Sequence, residues 1–216
     1  KINFFAAIFI TAFNFELGTL NCFSQATLLW ATYYGGAGTD YGSVATDASG
    51  NVYVAGITDS PTGIASGGFQ NTLGGGANDA FLVKFSTSGV RLWATYYGGA
   101  GDDYGNNVAT DASGNVYLSG STYSPAGISS GGFQNVFGGG MWDAFLVKFN
   151  SSGNRLWATY YGGTGEEEGY NVTIDVSGNA YLAGYTNSAT AIASGGFDNT
   201  LGGTQDAFLV KFGPCI

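Results

Sequence analysis

Histidine is absent from all 216 residues. That excludes an imidazole general base, any catalytic triad built on one, and a zinc site with a His ligand. Basic residues are scarce as well: 6 Lys+Arg stand against 15 Asp+Glu, a net charge of −9. A chain this acidic lacks the basic face that a phosphate backbone requires, so DNA and RNA are set aside as partners. There are only two cysteines, Cys22 and Cys215, too few for a disulfide framework. Among catalytic groups that need no histidine, paired carboxylates remain, as in glycoside hydrolysis.

What is present in quantity is glycine, 38 residues, together with 16% aromatics and only three prolines. Disordered Gly-rich tracts are poor in aromatics, so these glycines punctuate strands. The organising feature is the heptapeptide DAFLVKF at 79–85, 143–149 and 206–212, with starts 64 and then 63 residues apart. Trp30, Trp93 and Trp157 keep the same interval, as do Asp47, Asp111 and Asp175. A fixed period of this kind marks a repeat architecture and takes precedence over local propensity. Within each heptapeptide Phe, Val and Phe alternate with Leu and Lys, which is the period of a strand.

Residues 1–26 stand outside the repeat. Lys1, the apolar run 2–13 and the ending Ser24-Gln25-Ala26 have the pattern of a signal peptide. The run is too short to span a bilayer. The mature chain is expected to begin near Thr27, to be secreted or surface-borne, and to carry no membrane span.

From 27 onward the turns divide the chain into a strand at 28–34 and blades at about 43–97, 107–161 and 171–212. Each full unit has a strand, a Ser-Gly-Asn turn, a second strand, a long loop, DAFLVKF, a Ser-Gly turn and a fourth strand. The expected fold is all-β, with tandem four-stranded antiparallel repeats of about 64 residues forming β-propeller blades. The stretches YYGGAGDDYG, TDASGNVYLSGST and DAFLVKF resemble the bacterial SBBP family, the seven-bladed β-propeller repeat, over essentially all of 28–212. The resemblance implies blades of a secreted or surface protein and no particular reaction. The lone fourth strand at one end and three strands at the other imply part of a larger propeller, completed by further blades of the same protein or by self-association.

Comparison of the three copies separates blade structure from possible sites. Invariant positions serve every blade, whereas varying ones are free to bind. The Asp of DAFLVKF reads as a turn-bonding residue and its Lys as a snorkelling or paired one. The repeated Trp residues read as core, and the Ser-Gly-Asn turns as hairpins rather than calcium loops. Variation concentrates in the acidic loops with their tyrosines: Asp40 and Tyr41; Asp102, Asp103 and Tyr104; Glu166, Glu167 and Glu168 with Tyr170. Trp142 stands where the other copies carry Asn78 and Gln205. These ten residues form the candidate ligand-binding set, expected on the loop-bearing face of the blades. No cofactor is expected, although oxygen-rich loops of this kind could take up Ca²⁺, or a carbohydrate could stack on the tyrosines. The resulting expectation is a non-catalytic module that binds or scaffolds a protein or carbohydrate. The alternatives are a carboxylate-dependent glycosidase or lyase, and a purely structural surface array.

Overall fold

A computed structural model describes residues 26–214, and the signal-peptide reading therefore falls almost wholly outside the described residues, as do Cys22 and Cys215. Among the described residues no helix is long and apolar enough to cross a membrane. The described residues form three antiparallel sheets. The first orders β1 (Asp40–Thr46), β2 (Val52–Thr58), β3 (Asp79–Phe85) and β4 (Arg91–Tyr97) as a meander. The second repeats it with β5 (Asp103–Thr110), β6 (Val116–Thr122), β7 (Asp143–Phe149) and β8 (Arg155–Tyr161). The third has β9 (Glu167–Ile174), β10 (Ala180–Thr186) and β11 (Asp206–Phe212).

The sheets stack face to face, which is why apolar residues occupy both faces of a strand. In β3 and β6 every residue is buried. One core joins the first two sheets, with Tyr53, Leu82, Trp93 and Tyr97 from the first against Leu118, Phe145 and Phe149 from the second. A second core joins the next pair through Tyr117, Leu146, Tyr161, Leu182 and Phe208. Tyrosines latch adjacent sheets: the Tyr97 hydroxyl donates to the Ile128 carbonyl at 2.5 Å, and Tyr161 makes the same bond to Ile192. Each of the two full sheets also folds its long loop back over its outer strand, where Ser66 and Ala94 exchange backbone bonds at 2.9 Å, as do Ser130 and Ala158.

Two expectations from the sequence need correction. Leu28–Tyr34 is not a strand. It occupies the place of an outer strand beside the first sheet: the Trp30 indole donates to the Thr87 carbonyl at 3.1 Å, as Trp93 does to Ser151, and Tyr34 donates to Ile64 at 2.6 Å. Among the described residues it has no ladder partner. The outer strands β4 and β8 pair with the DAFLVKF strands β3 and β7, whereas none of the three DAFLVKF strands pairs with this segment. The second correction concerns where the blades begin. The first strand of each sheet starts at 40, 103 and 167 rather than 43, 107 and 171, so Asp40, Tyr41, Asp103, Tyr104, Glu167, Glu168 and Tyr170 are strand residues, not loop residues. The cause is the leading carboxylate, which ties the strand start to its neighbour.

Candidate functional site at the long-loop end

The antiparallel meander sends the short turns to one end of the sheets and the long loops, with the connections between sheets, to the other. Backbone bonds knit the long-loop end together. Asp103 donates to the Asn78 carbonyl at 2.9 Å, Tyr123 to Asp102 at 2.8 Å, and Glu167 to Trp142 at 2.8 Å. All ten candidate residues lie at this end, but in two different layers.

The inner layer is closed to solvent. Asp103 and Glu167 are fully buried and Asp40 half-buried. Each reaches the hydroxyl that ends the next strand: Thr58 donates to Asp40 at 2.5 Å, Thr122 to Asp103, and Thr186 to Glu167 at 2.5 Å. The second carboxylate oxygen accepts a glycine N–H, from Gly36, Gly99 or Gly163, at 2.9, 2.7 and 2.8 Å. Glu167 does in the third copy what aspartate does in the other two.

Against this layer stand the aspartates that open β3 and β7. Asp79 Oδ2 accepts from Gly74 N–H and Asp143 Oδ2 from Gly138 N–H, both at 2.6 Å, anchoring the long loops. Their other oxygens, Asp79 Oδ1 and Asp143 Oδ1, are buried and have no hydrogen-bond partner. Burial, reinforced by the facing carboxylate, pushes Asp79 and Asp143 up to about 7. Burial likewise raises Asp103 to about 6, although hydrogen bonds from Thr122, Gly99 and Ser124 oppose it.

The outer layer is aromatic and accessible. Trp142 packs on Tyr104 with ring centroids 4.8 Å apart and planes 31° apart, and on Tyr123 at 6.0 Å and 49°. Tyr123 is 52% exposed, enough to offer a ring face to a ligand. On the next sheet Tyr170 and Tyr185 lie 5.9 Å apart, and the Tyr185 hydroxyl donates to Glu168 at 3.3 Å. Burial and then the charges of Asp102 and Glu168 raise the Tyr104 phenol, so both carboxylates border this cluster. Asp102 Oδ1 is engaged by the N–H groups of Ala77 and Asn78 at 2.5 and 3.1 Å. Glu166 is fixed through its N–H, which donates to Asn187 Oδ1 at 2.6 Å. Tyr41 is exposed in a separate shallow groove of about 210 Å³ with Ser43, Ile57 and Asn106. Tyr104 and Trp142 are therefore brought together beside Asp102 and Glu168, whereas Asp40, Asp103 and Glu167 belong to the buried layer. Among the described residues no group of three or more acidic or cysteine side chains has the spacing of a metal site.

The candidate set read from the sequence omits Tyr123, although the rule that singles out Trp142 applies to it. The first and third copies have Asp59 and Asn187 at that position, where the side chain caps the acidic loop by accepting from Thr39 and Glu166 N–H at 2.5 and 2.6 Å. In the middle copy the cap is replaced by a ring.

These features define tandem blades of a β-propeller. The sequence model of the SBBP family, described as a beta-propeller repeat, matches residues 29–64, 92–125 and 156–189. The chain thus carries three SBBP beta-propeller repeats. Each match begins at an outer-strand segment and continues through the first two strands of the next sheet, so the DAFLVKF strands fall outside the matched spans. An uncharacterized WD repeat-containing protein of Acanthamoeba polyphaga mimivirus is 28% identical over 197 residues, covering 76% of this chain. The chain spans only 14% of that relative's length, and the relative comes from a virus, so a bacterial source finds no support in it.

Proposed function

We propose that this propeller segment is a non-catalytic binding module whose ligand, a carbohydrate, docks at the long-loop end of the middle sheet. The observation that carries the reading is the Tyr104, Trp142 and Tyr123 cluster, bordered by Asp102 and Glu168. Aromatic faces offer apolar area to the C–H face of a sugar ring, and carboxylates beside them accept bonds from its hydroxyls. Neither flanking copy can build this cluster, since Trp142 and Tyr123 are replaced there by Asn78 and Asp59 or by Gln205 and Asn187. The negative border favours a polyhydroxyl or basic ligand over an anionic one.

Raised carboxyl pKa values mark catalytic acids in many enzymes. Here Asp79, Asp103 and Asp143 are fully buried, out of reach of an external glycosidic bond, which favours binding over hydrolysis. Export of the module is part of the same proposal and rests on the sequence of residues 1–26.

The test is a glycan array probed with the full chain, in the presence and absence of a Ca²⁺ chelator. Trp142→Ala should lower the affinity for the captured glycan at least about tenfold, the loss expected for an aromatic anchor, with an unchanged urea midpoint. Failure to capture any glycan, or equal binding by Trp142→Ala, would overturn the carbohydrate reading. Loss of binding with chelator alone would assign a Ca²⁺ to it.

A further inference from the structure

Two carboxylates converge at each seam between sheets. Asp79 Oδ1 and Asp103 Oδ2 lie 2.6 and 2.7 Å from the point where a Cβ on Gly98 would stand. Asp143 Oδ1 and Glu167 Oε2 lie 2.5 and 2.8 Å from the same point on Gly162. All four residues are fully buried. The two aspartate oxygens aimed into these junctions, Asp79 Oδ1 and Asp143 Oδ1, have no partner, whereas the other oxygens of the same carboxylates do. A buried acceptor with nothing to accept is costly, and the same arrangement occurs twice at equivalent positions.

We propose that each seam binds one proton, shared between Asp79 and Asp103 at the first and between Asp143 and Glu167 at the second, so that mild acid tightens the stack of sheets and alkali loosens it. Protonation by solvent turns the orphan oxygen into an O–H donor aimed at the facing carboxylate. Two ionised carboxylates this close in a buried junction repel strongly, so one proton is retained.

Among the described residues, the groups that face the seams include no basic side chain to offset the charge. Asp79 faces Asp103, Asp102 and the Tyr96 phenol, and Asp103 also faces Tyr97 and Tyr160. Asp143 faces Glu167 and Tyr160, and Glu167 faces Tyr161. All of these phenols are raised and stay neutral across the range concerned. Lys84 and Lys148 are bound at the opposite end to Asp47 and Asp111, and Lys211 lies over Tyr181, while Arg155 lies over Phe69 and beside the Tyr97 phenol, donating to the Ile128 carbonyl rather than to a seam carboxylate. Arg91 lies beside Tyr34.

A metal ion fits poorly in the same place. A hard cation needs about six or more oxygens, whereas the groups directed at these carboxylates are largely N–H and O–H donors: Gly74, Gly99, Ser124 and Thr122. The proton is the ion that the packed junction admits.

The linkage has a definite sign. A carboxyl whose folded value lies above its ordinary 3.8 contributes stability that is fully present below 3.8 and is lost as pH rises through about 7. Urea unfolding of the full chain at about pH 5 and about pH 8 should show the folding constant falling about a hundredfold or more, since it changes about tenfold for each pH unit over which the folded carboxyl keeps a proton that the unfolded one has lost. Asp79→Asn places an amide N–H where the shared proton stands. It should flatten its share of the slope, and Asp79→Asn with Asp143→Asn should remove most of it. Equal wild-type stability at the two pH values, or an undiminished slope in the double variant, would overturn the proposal. If the double variant does not fold, infrared spectra of the wild type at about pH 6 decide, because ordinary carboxylates are ionised there. A protonated carboxyl C=O band is expected, and its absence would refute the shared proton. Stabilisation at about pH 8 by added Ca²⁺, reversed by chelator, would also refute it in favour of a cation.

Discussion

At the short-turn end of each sheet an aspartate is held as an anion, while at the long-loop end of the two full sheets an aspartate is pressed against a second carboxylate. The short-turn Asp47 accepts N–H bonds from Ser49 and Asn51 at 2.9 Å, an amide bond from Asn51 at 2.8 Å and the Tyr53 hydroxyl at 3.2 Å. Lys84 stands 3.8 Å from it. Burial works against the charge there, but these donors outweigh it and hold Asp47 below the usual carboxylate range. Asp79, at the opposite end of the same sheet, keeps one oxygen unpartnered and is raised to about 7. The difference lies in donor supply: a tight turn directs several N–H groups at one carboxylate, whereas the seam directs a carboxylate at another. The two ends should therefore respond oppositely to pH. Stability supplied by the turns is lost as pH falls below about 4 toward the depressed values, about 2 for Asp175, and stability at the seams is lost as pH rises toward about 7. A stability maximum in mildly acidic solution follows.

The sharpest way to break this contrast is steric. Gly98 sits against both carboxylates of the first seam, and a Cβ there would lie 2.6 Å from Asp79 and 2.7 Å from Asp103. The obstacle is packed side chain held by hydrogen bonds, so relief by rotation is limited. Gly98→Ala should cost about 1–3 kcal/mol, the range for overpacking a filled site, measured by urea unfolding. It should also reduce the alkaline loss of stability by forcing the carboxylates apart. A neutral Gly98→Ala would mean that the seam is looser than its geometry.

A smaller effect concerns the long loops above the seams. Gly63 and Gly127 adopt φ of 92° and 93°, and the third copy places Ala191 at the corresponding turn with φ 71°. An L-residue with a Cβ is disfavoured in that region. Ala191→Gly should stabilise the chain by about 1 kcal/mol, seen as a rise in the unfolding midpoint. An unchanged or lower midpoint would show that the third loop has relaxed around its alanine.

Much of the architecture was legible in the sequence because strand period and turn chemistry are local. Asp47-Ala48-Ser49-Gly50-Asn51 fixes a hairpin by itself, with Gly50 at φ 77° and its N–H on the Asp47 carbonyl at 2.9 Å. The start of β5 was less legible, because Asp103 begins a strand only by virtue of Thr122 and Ser124, about twenty residues away. The Asp of DAFLVKF reads correctly as a loop-bonding residue from its position alone. Its encounter with Asp103 depends on how two sheets stack, which no single copy encodes. Leu28–Tyr34 shows the converse, since six of its seven residues match β4 yet the segment is no strand and has no ladder partner among the described residues. The aromatic cluster was half visible: Trp142 stood out against its counterparts, and Tyr123 required the same comparison to be extended to the residue after the second strand.

The finest test of the contrast uses the three turns as an internal series. Their local bonds are nearly identical, with Asn51, Asn115 and Asn179 donating to the aspartate at 2.8, 2.8 and 2.7 Å. They differ in the lysine. Lys148 lies 3.3 Å from Asp111 and Lys84 lies 3.8 Å from Asp47, while the third-copy Lys211 makes no ion pair of that length with Asp175 among the described residues. If local donors alone hold the turn, Asp→Asn should cost the same in all three. If the ion pair adds to them, Asp111→Asn should cost most, about 1–2 kcal/mol, as for a hydrogen bond to a charged group with its partner left half-buried. Asp47→Asn should follow, and Asp175→Asn should be smallest. Raising the salt concentration should shrink the gap between the first and the last, because screening reaches the ion pair but not the backbone bonds. An order with Asp175→Asn at the top would remove the lysines from the account of the short-turn end and leave the N–H donors as its whole basis.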